Sequence, residues 1–193
     1  RLLFLGAGAI GTYVGGSLAV AGHKVTFSEQ PDAAAVIRTQ GLRLTRAGRT
    51  VPVRDFAIHD SADEALAAGP YDVCVFALKS FDTESALEGL LATGAPVPPV
   101  LSLQNGVDNE PVIAAKLGAN RVITGTVTTA VGKPGTGQVV EEKRRGIGIA
   151  LDHPLGRRLV AALNDANLNG VGYPSPGPMK WSKLLTNLTG NAT

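Results

Sequence analysis

Leu2-Leu3-Phe4-Leu5-Gly6-Ala7-Gly8-Ala9-Ile10-Gly11 decides the fold of this chain. Four apolar residues run straight into a glycine, as a buried parallel strand would. The glycines at 6, 8 and 11 then satisfy G-x-G-x-x-G between a strand and a helix, the context that gives the pattern meaning. The first glycine makes a tight turn, the second lets backbone approach a pyrophosphate, and the third lets helix and strand pack closely. Backbone N–H groups from Gly6 through Ala7, Gly8, Ala9, Ile10 and Gly11, with the positive end of the helix dipole, favour phosphates. A purely structural glycine turn is the alternative.

Outward from this stretch, strands and helices alternate. Ile10 to Ala21 carries Gly15, Gly16 and Ala19 at helical spacing and stops at Gly22. A strand is expected over Lys24–Ser28, then a helix over Asp32–Gln40 capped by Asp32. Leu42–Leu44 and Val51–Val53 flank Arg46-Ala47-Gly48-Arg49, the pattern of a small hairpin. Further helices are expected over Ser61–Ala68, Thr83–Leu91, Pro111–Leu117 and Leu155–Leu163, and strands over Asp72–Leu78, Val100–Leu103 and Val122–Val131. Gly132–Ile149 is glycine-broken and β-prone, more like antiparallel strands than crossovers. Tyr173-Pro174-Ser175-Pro176-Gly177-Pro178 reads as a linker. The alternation predicts an α/β fold with a Rossmann-type, doubly wound, mostly parallel sheet covered on both faces. Residues 1–173 form its dinucleotide-binding domain, 174–178 a linker, and 179–193 the first part of a further helix.

Composition narrows the function. A chain of 193 residues with 44% hydrophobic and 18% charged residues is an ordinary globular domain. A net charge of +2 is too small to argue for a nucleic-acid partner. No segment approaches the roughly 18 apolar residues of a membrane helix, and no secretion signal precedes the first strand. The cytoplasm is the default location. The single cysteine, Cys74, sits in an apolar strand and reads as packing, while His23, His59 and His153 make no metal-ligand pattern. No metal is expected.

Four places carry candidate chemistry. Glu29 lies 18 residues after Gly11, near the roughly 20 expected of an acid that holds the adenosine ribose 2′-hydroxyl. With Gln30 it argues for NAD, because a carboxylate repels a 2′-phosphate. Lys79 ends an expected strand at the ligand-binding edge and could neutralise such a phosphate. Solvated positions are the alternatives for both. Gln104-Asn105-Gly106 follows another strand at the same edge, where Asn105 is either a turn residue or a ligand for the nicotinamide ribose and a catalytic lysine. Lastly, a helix opened by Pro178 repeats Lys183, Asn187 and Asn191 every four residues on one face. A lysine that can donate a proton beside two amides suits a polar substrate, although a solvated helix lysine is the alternative.

Together these pieces resemble the ketopantoate reductase (2-dehydropantoate 2-reductase) family. The carriers are Gly6–Gly11, Gly22-His23-Lys24-Val25-Thr26, Leu78-Lys79, Gln104-Asn105-Gly106 and the Lys183/Asn187/Asn191 spacing. The resemblance implies NADPH-dependent reduction of a 2-oxo acid to a 2-hydroxy acid, a step of pantothenate and coenzyme A biosynthesis. It implies Lys183 as general acid, Asn105 on the nicotinamide ribose and the lysine, Asn187 and Asn191 on the substrate, and Lys79 near the adenosine. Glu29-Gln30 stands where the family often carries an arginine for the 2′-phosphate, so NADP(H) is favoured by resemblance and NAD(H) stays open. The family continues into an all-helical domain, so the chain is expected to stop within its catalytic helix and to turn over poorly alone. Exposure of Leu184, Leu185 and Leu188 on such a helix makes a homo-oligomer an expected state. A non-catalytic dinucleotide sensor, or an opine or hydroxyacid dehydrogenase with another substrate, is the competing reading.

Overall fold

Leu2–Leu5 form a strand, β1, in which every residue is buried, and the rest of the chain is laid against it. The computed structural model describes residues 1–181 and 183. After β1 come α1 (Ala9–Val20), β2 (Val25–Ser28), α2 (Pro31–Gln40), β3 (Leu42–Arg46), β4 (Arg49–Val53) and β5 (Phe56–His59). Then follow α3 (Ala62–Ala67), β6 (Val73–Phe76), α4 (Thr83–Ala92), β7 (Val100–Ser102), α5 (Asn109–Leu117) and β8 (Val122–Val127). The chain continues through β9 (Ala130–Gly135), β10 (Gln138–Lys143), β11 (Ile147–Ala150), α6 (Gly156–Asp165) and β12 (Gly170–Tyr173). A last helix, α7, opens at 176.

The main sheet runs β12-β11-β8-β7-β6-β1-β2-β5. Six neighbouring strands from β5 to β8 are parallel, while β11 pairs antiparallel with β8 and β12 runs parallel to β11, so these two point the opposite way. This is the expected doubly wound, mostly parallel architecture. The strand order reverses at β1: β2 and β5 lie on one side, β6 and β7 on the other. That reversal is the topological switch point, where such sheets leave a crevice for ligands at the strands' carboxyl ends.

A smaller sheet, β4-β3-β10-β9, packs over α1. Its docking depends on Tyr13, which is fully buried and donates its hydroxyl to Glu141 Oε2 over 2.5 Å. Burial first, then the carboxylate, pushes the phenol up to about 12, so it stays a proton donor throughout the neutral range. The Arg46 guanidinium covers the same ring at 5.2 Å from its centroid.

Several expectations need correction. Pro31 opens α2 with Gln30 in the N-cap position, so Asp32 sits in the first turn and is not the cap. Proline tolerates that first position because its missing N–H would have been unpaired there. Val122–Val131 is two strands: β8 ends at Val127 in the main sheet, and β9 starts at Ala130 in the small one. Strands β5 and β12 lie where none was expected, so Tyr173 belongs to the sheet and not to a linker. Helical backbone begins at 176, two residues before Pro178. Pro176 and Pro178 then both fall in the first turn, where neither removes an intrahelical bond.

Close packing of α1 on the sheet depends on glycine. A Cβ on Gly15 would lie 2.7 Å from the ring of Phe27, itself sealed in the core. Gly15→Ala is therefore expected to lower stability by about 1–3 kcal/mol, the usual cost of overpacking a filled core. Chemical denaturation checks this, and an unchanged midpoint would show that α1 is free to move outward.

Candidate functional site

Because the central strands are parallel, the loops after β1, β2, β5, β6, β7 and β8 all emerge at one edge. The glycine loop lies at its centre. Gly6 takes φ +95°, a left-handed conformation that side chains rarely adopt. A Cβ on Gly11 would stand 2.0 Å from the Gly6 carbonyl oxygen, so helix and turn meet there only through glycine. Gly8 has open space where its Cβ would be, and it precedes α1 without any side-chain cap. The leading N–H groups of α1 lack intrahelical partners by geometry and face that opening. The cradle fits a phosphate pair.

Two clefts flank the loop. One, of about 490 Å³, is lined by Gly6, Glu29, Gln30, Asp60, Ser61 and Asp82 among others. Glu29 anchors it: its carboxylate accepts the Ala7 N–H at 2.7 Å and its neighbour Gln30's N–H at 2.9 Å. Arg38 pairs with Asp60 on the same rim. Lys79 does not line this cleft; its ammonium lies 5.9 Å from the centroid of the Phe81 ring. The structure thus brings Glu29 and Gln30 to the glycine loop and leaves Lys79 aside.

The other cleft, of about 600 Å³, is lined by Ile10 from α1, Asn105, Thr126–Ala130, Lys143, Arg145, Tyr173, Met179 and Lys183. Lys183 Nζ donates to Asn105 Oδ1 over 2.8 Å, so the two candidate catalytic residues meet. Burial first, then the nearby charge of Lys180, pulls the Lys183 ammonium down to about 8. An amine in that range can part with a proton near neutral pH.

Asn105 is held rigidly for an exposed residue. Its carbonyl accepts from Asn109 Nδ2 at 2.7 Å and from the Ser80 hydroxyl at 3.1 Å. Next to it, buried Gln104 donates to the Thr83 hydroxyl at 2.7 Å and reaches the carbonyls of Leu78 and Lys79, each at 3.3 Å. The turns after β6 and β7 therefore behave as one unit. The expected substrate ligands Asn187 and Asn191 lie outside the described residues.

Sequence reasoning passed over Asp60, Asp82, Arg145, Glu110 and Lys180. The first follows the unexpected strand β5. Lys180 offered one signal, its position three residues before Lys183 on the same helix. Among the described residues, no group of three or more His, Cys, Asp or Glu could hold a metal, and no helix is long and apolar enough to cross a membrane.

The family model described as ketopantoate reductase PanE/ApbA matches residues 2–150. The 2-dehydropantoate 2-reductase of Halobacterium salinarum is 30% identical over 100% of this chain and 64% of its own length. That of Pyrococcus horikoshii is 32% identical over 97% of this chain and 60% of its own. A solved ketopantoate reductase from Ralstonia eutropha superposes with a TM-score of 0.84 at 30% identity, over 97% of this chain and 61% of that one. The chain belongs to the ketopantoate reductase family, and it spans about 60% of the length of these relatives.

The glycine loop supplies a direct prediction. Gly11→Ala forces its methyl into the Gly6 carbonyl and should abolish any thermal shift produced by nicotinamide dinucleotides. The same shift in the variant as in the parent would show that the loop does not hold them.

Proposed function

We propose that this family member reduces a 2-oxo acid, with 2-dehydropantoate as the substrate its relatives' names suggest, to the 2-hydroxy acid, pantoate in that case. That is a step of pantothenate biosynthesis. The observation that carries this reading is the Lys183–Asn105 contact beside the glycine loop. Residues 6–11 would hold the pyrophosphate, residues 1–173 the dinucleotide as a whole, and α7 the proton donor. A reduced nicotinamide, when bound, supplies the hydride.

The chain's own groups account for the rest. Lys183, as ammonium, polarises the ketone and gives its proton to the developing alkoxide. Asn105 orients that ammonium through its Oδ1. Lys143 and Arg145 on the same cleft make it positive, which suits the carboxylate of a 2-oxo acid. Asn187 and Asn191 are proposed to bind the substrate's hydroxyl or carboxylate, from their spacing alone.

Family resemblance favours NADPH. The cleft beside Glu29 supports NADH instead, since Glu29, Asp60 and Asp82 all line it, and Arg38 on its rim is already paired with Asp60. A 2′-phosphate would meet carboxylates, whereas a 2′-hydroxyl could donate to Glu29.

Two measurements on the full-length protein test these readings. Lys183→Ala should lower kcat for 2-dehydropantoate by ~10²–10⁴-fold while dinucleotide affinity persists. Because the acid must carry its proton, the parent's rate should fall as pH rises through about 8. Unchanged turnover in the variant would remove Lys183 from the chemistry. Separately, NADH should bind more tightly than NADPH, and Glu29→Ala should narrow the gap; a preference for NADPH in the parent would refute the cofactor reading.

A further inference from the structure

A second lysine stands beside the first and is the better buried of the two. Lys180 is only 7% exposed, although it carries a full charge and belongs to the same helix as half-buried Lys183. Its Nζ donates to the Gln104 carbonyl at 3.1 Å and to the Gly106 carbonyl at 3.3 Å. Glu110 of α5 places Oε1 2.7 Å away, and that carboxylate is itself nearly covered. A charge so enclosed persists only when paired and hydrogen-bonded, and these three contacts meet that condition.

The two carbonyls flank Asn105 in the chain. One lysine thus grips the turn by its main chain, while the other takes the side chain it presents. The anchor is reinforced at Met179, buried in α7, whose sulfur occupies space that Gly148 leaves clear: a Cβ there would be 2.8 Å away. Gly106, at φ +92°, lets the turn curl back under Lys180.

We infer that Lys180 is a positioning residue of this site: clamped by Gln104, Gly106 and Glu110, it fixes the turn that presents Asn105 to Lys183. This rests on the proposed role of Lys183. Its charge adds a second effect. Lys183 shares its cleft with Lys143 of β10, Arg145 after it and Tyr173 of β12, and Lys180 is the charge that acts on it from within α7. The carboxylate of α5, Glu110, is engaged by Lys180 at 2.7 Å. A cation held one turn away therefore makes the Lys183 ammonium readier to release its proton.

The test is the titration of the Lys183 amine in the full-length protein, followed by competitive acylation and mass spectrometry, alongside pH profiles of kcat. Lys180→Met strands Glu110, so Lys180→Met/Glu110→Gln is made as the charge-balanced form. In both, the Lys183 midpoint should rise from near 8 toward the ordinary lysine range of about 10.4. The basic limb of kcat should follow, and kcat should drop by ~10²-fold, as a misplaced reacting group would cause. Lys180→Arg, which keeps the charge and donors, should hold the midpoint low. A folded double variant with parental midpoint and kcat would overturn the inference, as would Lys180→Arg behaving like Lys180→Met. Acylation reads Lys183 without turnover, so absence of reductase activity would defeat the proposed function and leave this result separately legible.

Discussion

Everything at the candidate site depends on how closely α1 approaches the turn that follows β1. At Gly11 the helix nearly touches the Gly6 carbonyl, with room for a hydrogen and nothing larger. That contact aims the open end of α1 at the switch point and leaves the space above Gly8 empty. If the helix stood off by the width of a methyl group, its leading N–H groups would no longer converge on one place. The same approach continues along α1, where Gly15 lies against Phe27 and Gly16 against Leu44 and Val53 of the small sheet. One helix therefore sets both the ligand cradle and the seat of the second sheet.

The α/β architecture was legible because its strongest signals are local. β1, β6 and β7 are short apolar runs ending in turns, and the glycine motif has to sit between a strand and a helix. What escaped was set by tertiary context. Phe56-Ala57-Ile58-His59 is a four-residue edge strand with little alternation, and its pairing with β2 supplies what its composition does not. The run Val122–Val131 has no proline at its break, and only the transfer of the chain to another sheet divides it. At the proposed site, Lys183 was singled out by its spacing with Asn187 and Asn191, and Asn105 by its position at the sheet edge together with the family resemblance. Lys180 could not be singled out, since a helix lysine is ordinarily solvated and its burial comes from a turn 74 to 76 residues earlier.

On the proposed role of Lys183, Lys180 also accounts for how a turn with exposed residues would serve chemistry. Asn105 and Gly106 lie at the surface, where loops are normally mobile. Here Gln104, Asn109 and Ser80 hold that turn from the sheet side, and Lys180 holds it from α7. Rigid placement of a proton donor matters to a reaction because misorientation is costly in rate.

The clefts on the two sides of the glycine loop are of opposite character, and this polarity follows from topology. The side reached by β2 and β5 gathers Glu29 and Asp60, while the side reached by β10 and α7 gathers Lys143, Arg145 and Lys183. An extended ligand laid across the loop would meet carboxylates that accept from hydroxyls at one end. At the other it would meet cations suited to an acid. Lys143 and Arg145 are exposed at the sheet's edge and lie outside the core, whereas the Glu29 carboxylate also accepts the Ala7 N–H and so is part of the glycine loop itself. The cationic end can therefore vary independently of the glycine contact, while the acidic end is tied to it through Glu29.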